Sequence, residues 1–127
     1  MDLVWFEKNL IIALRILLPF FRKYKFHLCA LDIDSLDGDY LVFCSLFNKT
    51  NISVILNPGF DILIERNLNF FQSKISKPVL SLNKEKKKSP KFSDLNDNFK
   101  NDVELEKLLK EYIIFLENDF NNYLVNE

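Results

Sequence analysis

The sequence predicts an α+β domain in which two long helices pack against a four-stranded antiparallel sheet. Apolar residues recur with helical spacing at both ends of the chain. Four runs of β-branched and aromatic residues lie between these ends, and their connections are too short for anything but an antiparallel meander. A chain of 127 residues, 48% of them apolar, can bury one core. We therefore predict a single domain over residues 1–127.

The first helix is predicted from Leu3 to about Tyr24, with Asp2 as a suitable cap. Pro19 lacks an amide hydrogen, so we expect a kink or break within residues 13–18. Charged side chains interrupt the apolar run and no basic stretch precedes it, which argues against a membrane span and a signal peptide. The apolar side of the helix comprises Val4, Leu10, Ile11, Leu14, Leu17, Leu18 and Phe21.

The four strands are predicted over residues 25–33, 40–47, 52–56 and 60–65. Turn residues separate them, including Asp37-Gly38 and Asn57-Pro58-Gly59. Beyond the fourth strand, a short helix at residues 68–71 and a short strand at residues 78–82 are both open interpretations. The lysine-rich segment from Lys84 to Lys91 is typical of a solvated loop, and we predict a mobile loop over residues 84–100.

The last helix is predicted from Val103 to about Tyr123. Asn101 lies three residues before Glu104, as in a capping box. The residues at one side of this helix are apolar and those at the other are charged, so we expect it to pack on the sheet. Its apolar side comprises Leu105, Leu108, Leu109, Tyr112, Leu116, Phe120 and Leu124.

The segment "LDIDSLDGDY" carries four carboxylates and no basic residue. Counted as a calcium loop, it places Leu36 at position five, where an EF-hand needs an oxygen ligand, and it lacks the final glutamate. A hairpin turn explains Asp37 and the glycine after it, but it does not require further acid. We predict that this excess of negative charge meets a positively charged partner, with a neighbouring tyrosine as an anchor. The predicted partner-binding residues are Asp32, Asp34, Asp37, Asp39 and Tyr40.

No catalytic motif stands out in the sequence. His27, Cys29 and Cys44 are conceivable as a Cys–His site, but both cysteines lie in apolar runs and are predicted to be free, buried thiols. Free thiols indicate a reducing compartment, and we predict a cytoplasmic protein. We expect no cofactor and no metal. The short lysine run and the net charge of −1 do not favour nucleic-acid binding.

The layout resembles the small immunity proteins of bacterial polymorphic-toxin and contact-dependent growth inhibition systems. The likeness lies in "SLFNKTNISVILNPGFDILI" and in "LEKLLKEYIIFLENDFNNYL". The resemblance implies a non-enzymatic protein that binds a cognate toxin, frequently a nuclease, and masks its basic active site. Two alternatives remain open: a small enzyme with a carboxylate or Cys–His site, and an adaptor that forms homodimers through an exposed apolar helix face.

Overall fold

The chain folds into four helices and one sheet in the described residues of the computed structural model, which are 3–35, 38–45, 49–57, 59–66, 79–95 and 97–125. The predicted α+β class is confirmed, and the sheet has a fifth, short strand. Its order is β1-β2-β3-β4-β5, with every neighbouring pair antiparallel. In chain order the elements are α1 (Leu3–Lys23), β1 (Phe26–Ser35), β2 (Gly38–Ser45), β3 (Thr50–Asn57), β4 (Asp61–Arg66), β5 (Val79–Ser81), α2 (Leu82–Lys86), α3 (Asp102–Asp119) and α4 (Asn121–Leu124).

The sheet has two different faces because side chains alternate along each strand. Burial alternates strictly along β2 and β3. We call the buried side the inner face and the opposite side the outer face. Inner-face residues join the buried residues of the helices in one hydrophobic core, as the pattern of the third and fourth strands predicts. The inner face contributes Leu41, Phe43, Ile52, Val54, Leu56, Ile62 and Ile64 to this core.

Helix α1 continues through Pro19, so the predicted break is wrong. The proline is exposed and costs the helix one backbone hydrogen bond, since it has no amide hydrogen to donate. Phe20 and Phe21, which follow it, are buried and hold the end of the helix on the core. Asp2, the predicted cap, lies outside the described residues. In the part of the chain that the structure describes, no helix is long and apolar enough to cross a membrane.

Helix α3 begins as the sequence predicts. The Asn101 side chain accepts a hydrogen bond from the Glu104 amide (2.9 Å), and the Glu104 carboxylate accepts one from the Lys100 amide (2.6 Å). All seven predicted apolar residues of the C-terminal segment are buried. The single predicted helix is nevertheless two helices, because Phe120 leaves the helical conformation and α4 follows it.

Helices α1 and α3 are joined by polar contacts at their surface. Glu117 accepts hydrogen bonds from Tyr24 and from Lys23, the latter at 2.9 Å. These two donors hold the pKa of the Glu117 carboxyl below its usual range. Two further ion pairs, Lys8–Asp102 and Arg15–Glu106, connect the same helices at 3.2 and 3.5 Å. Such exposed pairs contribute little each, so the apolar contact carries most of the helix packing.

The lysine-rich segment is not a loop at its start, and this part of the prediction is wrong. Lys84 and Lys86 belong to α2, which Ser81 caps through a bond from the Lys84 amide. Lys86 is buried with 6% of its surface exposed, and Phe92 joins the core. Composition alone predicts a solvated segment, whereas the Lys86 ammonium group donates to the Leu95 carbonyl (2.6 Å) and to the Tyr112 hydroxyl (3.2 Å). Residues 68–71, the other predicted helix, lie outside the described residues, and β5 covers part of the predicted strand at 78–82.

A polar network ties α2 and β4 to α3. The Tyr112 hydroxyl donates to the Asn83 side chain and accepts from the Lys86 ammonium group (3.2 Å). Asp61 accepts from the Ser81 hydroxyl (2.7 Å) and from the Asn83 amide (3.1 Å). Because these half-buried and buried groups satisfy one another's hydrogen bonds, they help to fix the position of α2 on the core.

Candidate protein-binding surface

The predicted acidic residues lie in and around the β1–β2 hairpin but do not share one face. Asp32 pairs with Tyr40 across the two strands, and the Tyr40 hydroxyl donates to the Asp32 carboxylate (2.6 Å). Asp32 is exposed on the outer face, with Tyr40 beside it. Gly38, the first residue of β2, has φ 100°, a backbone conformation that hairpin turns use and that glycine adopts without strain. Asp37 and the side chain of Asp34 lie outside the described residues.

Asp39 points the other way. It is buried with 3% exposure, and the Asn57 side chain donates to its carboxylate at 3.3 Å. Its place on the inner face follows from strand alternation, since Tyr40 and Asp39 are neighbours on one strand. Asp39 therefore supports the hairpin from inside, and of the two carboxylates whose side chains are described, Asp32 is the one at the surface.

The outer face of the sheet is a broader feature that the sequence reasoning missed. Four of its apolar or aromatic side chains are half-buried, and the three aliphatic ones do not pack on the hydrophobic core. Strand register places them next to one another, since Tyr40 lies opposite Ile55 and Val42 and Leu63 both lie opposite Ser53. The four side chains are Tyr40, Val42, Ile55 and Leu63.

This outer face is also acidic. Its described strand residues include Asp32, Asp61 and Glu65 but no lysine or arginine. Among these described residues, His27 is the one basic side chain. Asp61 accepts the Ser81 and Asn83 hydrogen bonds, Asp32 is exposed and Glu65 is half-buried. An apolar centre flanked by carboxylates is suited to a protein partner with a positive surface.

The prediction of two free, buried cysteines is wrong. Cys29 and Cys44 form a disulfide between β1 and β2, with their Cα atoms 6.0 Å apart, and Cys29 is exposed. Cys44 lies on the outer face by strand alternation. A β-bulge between Leu28 and Ala30 inserts Cys29 as an extra residue in β1 and brings its sulfur to that side. Hydrophobic neighbours in the sequence gave no sign of this bulge.

We predict that the purified, air-oxidised protein will not react with iodoacetamide at Cys29 or Cys44 until a reductant is added. A disulfide sulfur has no thiolate with which to attack the reagent. Peptide mass spectrometry with and without prior reduction measures this directly. Alkylation of Cys29 without reduction would contradict the disulfide.

The enzymatic alternatives find little support at these residues. His27 pairs with Cys44 in the strand register and is exposed, but the bonded sulfur is not a nucleophile. Among the described residues, no group of three or more His, Cys, Asp or Glu side chains is arranged to hold a metal ion. A shallow depression of about 320 Å³ beside α3 does contain carboxylates, from Asp94, Glu104 and Glu111.

Comparisons with protein-family models, with curated proteins and with solved structures find no match for this chain. The alternation of β3 and β4, visible in the sequence, is the signal by which Ile55, Leu63 and Glu65 can be assigned to the outer face.

Proposed function

We propose that this chain is a non-enzymatic binding protein that neutralises a protein with a basic active site by covering it with the outer face of the sheet. The one observation that carries the proposal is the combination of the half-buried Tyr40, Val42 and Ile55 at the centre of the outer face with Asp32 and Glu65 around them. An immunity protein that protects a bacterial cell from its own toxin, such as a nuclease, must cover a basic active site in this way.

A nuclease holds phosphates with basic residues, so its active site attracts carboxylates. A rigid sheet can present such carboxylates without the entropy cost of ordering a loop, which favours affinity. Opposite charges also speed the encounter, and this effect decreases as salt increases. The half-buried aromatic and aliphatic side chains then supply the contact that slows dissociation.

We place this activity in the cytoplasm, where such a toxin would act. The disulfide bears on this point, because thiols in the cytoplasm are kept reduced. Trapping thiols by acid quenching and alkylation in intact cells shows whether Cys29 and Cys44 are reduced or form the disulfide there. Two alkylated cysteines at positions 29 and 44 would fit the cytoplasm, and a protected pair would place the chain in an oxidising compartment.

The proposal is tested with the product of the neighbouring reading frame, since an immunity protein is encoded beside its toxin. We expect the variant Asp32→Asn/Glu65→Gln to associate with this partner several-fold more slowly at low salt and to show a flatter salt dependence. Stopped-flow or biosensor kinetics at several salt concentrations measure both effects. The apolar centre is unchanged, so dissociation is expected to change less.

The matched control is Glu7→Gln/Asp119→Asn, which changes the net charge equally. Both residues are exposed on helices, Glu7 on α1 and Asp119 on α3. This control is expected to leave the association rate within about twofold of the parent, because its charges are distant from the outer face. Equal slowing by both variants would show a non-specific charge effect and contradict the proposed surface.

A further inference from the structure

Strand β1 forms an edge of the sheet. In the part of the chain that the structure describes, its sole strand partner is β2, so its other edge presents unpaired backbone groups. β1 is ten residues long, which is more than an edge strand needs. Three large apolar side chains on it are exposed: Leu28 by 38%, Leu31 by 44% and Ile33 by 40%. These features are those of a strand that pairs with another chain.

The β-bulge at Cys29 changes which side chains of β1 share a face. Leu28 lies opposite Phe43 and Leu31 opposite Leu41, and both partners belong to the inner face. Three residues apart in a regular strand, Leu28 and Leu31 would point to opposite faces. The extra residue places them on the same face. By the same count, His27 and Asp32 both lie on the outer face, opposite Cys44 and Tyr40.

This arrangement makes β1 complementary to itself. In an antiparallel pair, residues opposite each other share a face. A two-fold axis between Cys29 and Ala30 sets Leu28 opposite Leu31 of the second copy on the inner face. The same axis sets His27 opposite Asp32 on the outer face, so that a basic side chain faces a carboxylate twice per pair. Ile33 is then opposite Phe26, whose ring is buried in its own core.

We propose that the chain forms a symmetric homodimer through antiparallel pairing of β1 with β1 of a second copy, producing one continuous ten-stranded sheet. The second copy is favoured over an unrelated peptide because the apolar and the charged pairs match in a single register. That register covers all three exposed apolar side chains. Tyr40, Ile55 and Leu63 lie further from the edge, so the apolar centre of the proposed partner surface is separate from the dimer contact. Asp32 belongs to both, so Ile55→Lys tests the partner surface and Leu31→Lys tests the dimer, each without changing Asp32.

The test is sedimentation equilibrium of the full, disulfide-bonded chain at two or more concentrations, without reductant. The parent is expected to show a concentration-dependent dimer. His27→Asp places two carboxylates against each other and is expected to raise the dimer dissociation constant about tenfold. Adding Asp32→Lys to this variant restores opposite charges and is expected to bring the constant back to within about threefold of the parent.

Leu31→Lys is expected to abolish the dimer, because it places a charge on the apolar side of the contact. The matched control is Ile11→Lys, at a residue of α1 that is 58% exposed, and it should still dimerise. Thermal melting of each variant identifies any that fail to fold. If Leu31→Lys does not fold, His27→Asp and its combination with Asp32→Lys test the proposal instead. A parent that stays monomeric at all concentrations, a dimer unaffected by both β1 variants, or a dimer joined by an intermolecular disulfide on non-reducing electrophoresis would each overturn the proposal.

Discussion

Replacing Tyr112 by alanine is expected to lower the free energy of unfolding by about 3–5 kcal/mol, as for other large buried aromatic side chains. Tyr112 is fully buried, and its ring packs at right angles on Phe60, with centroids 4.9 Å apart. The substitution creates a cavity and also removes the hydroxyl partner of Asn83 and Lys86. Urea unfolding followed by circular dichroism measures the change. A loss below about 1 kcal/mol would contradict the central place of Tyr112 in the core.

The matched variant Tyr112→Phe keeps the ring and removes only the hydroxyl. We expect it to cost about 1–3 kcal/mol, because the buried partners remain without their bond. Burial, with smaller contributions from the carboxylates of Asp97, Asp61 and Glu111, raises the pKa of the Tyr112 hydroxyl far above its ordinary value. Because the pKa of Tyr112 is higher in the folded state, its protonated hydroxyl contributes its full stabilisation below about pH 10, the ordinary tyrosine pKa. This stabilisation is lost as the pH rises further. The alkaline decrease in stability should therefore be shallower in Tyr112→Phe.

Replacing Ile55 by lysine is expected to raise the dissociation constant for the partner at least about 30-fold, as for a hot-spot residue worth 2 kcal/mol or more. Ile55 is half-buried at the centre of the outer face and lies opposite both Tyr40 and Asp61 in the register. Lysine there removes apolar contact and repels a basic partner. Isothermal titration calorimetry with the partner measures the change.

The control for this variant is Ile114→Lys, at a residue that is 50% exposed on α3. It makes the same chemical change on the opposite layer of the domain and should leave the affinity within about twofold. Equal melting temperatures for the two variants exclude a folding effect. If Ile114→Lys weakened binding and Ile55→Lys did not, the partner would bind the helical layer.

The sequence predicted the α+β class and the cap and apolar side of α3 because these depend on local periodicity and on one side-chain hydrogen bond. It could not predict the end of α3 at Phe120, since the helical spacing of apolar residues continues through Leu124. The sequence also could not predict the burial of Lys86. That burial depends on Tyr112, which is 26 residues away and meets Lys86 only in the folded chain.

The candidate surface was predictable in part. Asp32 and Tyr40 lie on the exposed face, as partner contact requires, whereas strand alternation turns Asp39 inward. Composition counts carboxylates but does not assign them to faces, so it overstated the charge that the hairpin presents. The disulfide depends on the β-bulge at Cys29, which shifts the register by one residue. A bulge of this kind leaves no clear pattern in a single apolar run.

The most direct test of the account is nuclear magnetic resonance of the side-chain methyl groups with and without the bound partner. We predict that the methyl signals of Val42, Ile55 and Leu63 shift on binding, since these groups lie at the centre of the proposed contact. The exposed methyl groups of Val103 and Ile114, on the helical layer, should keep their positions. Shifts confined to those helical methyl groups, with Val42, Ile55 and Leu63 unchanged, would contradict the outer face as the binding surface.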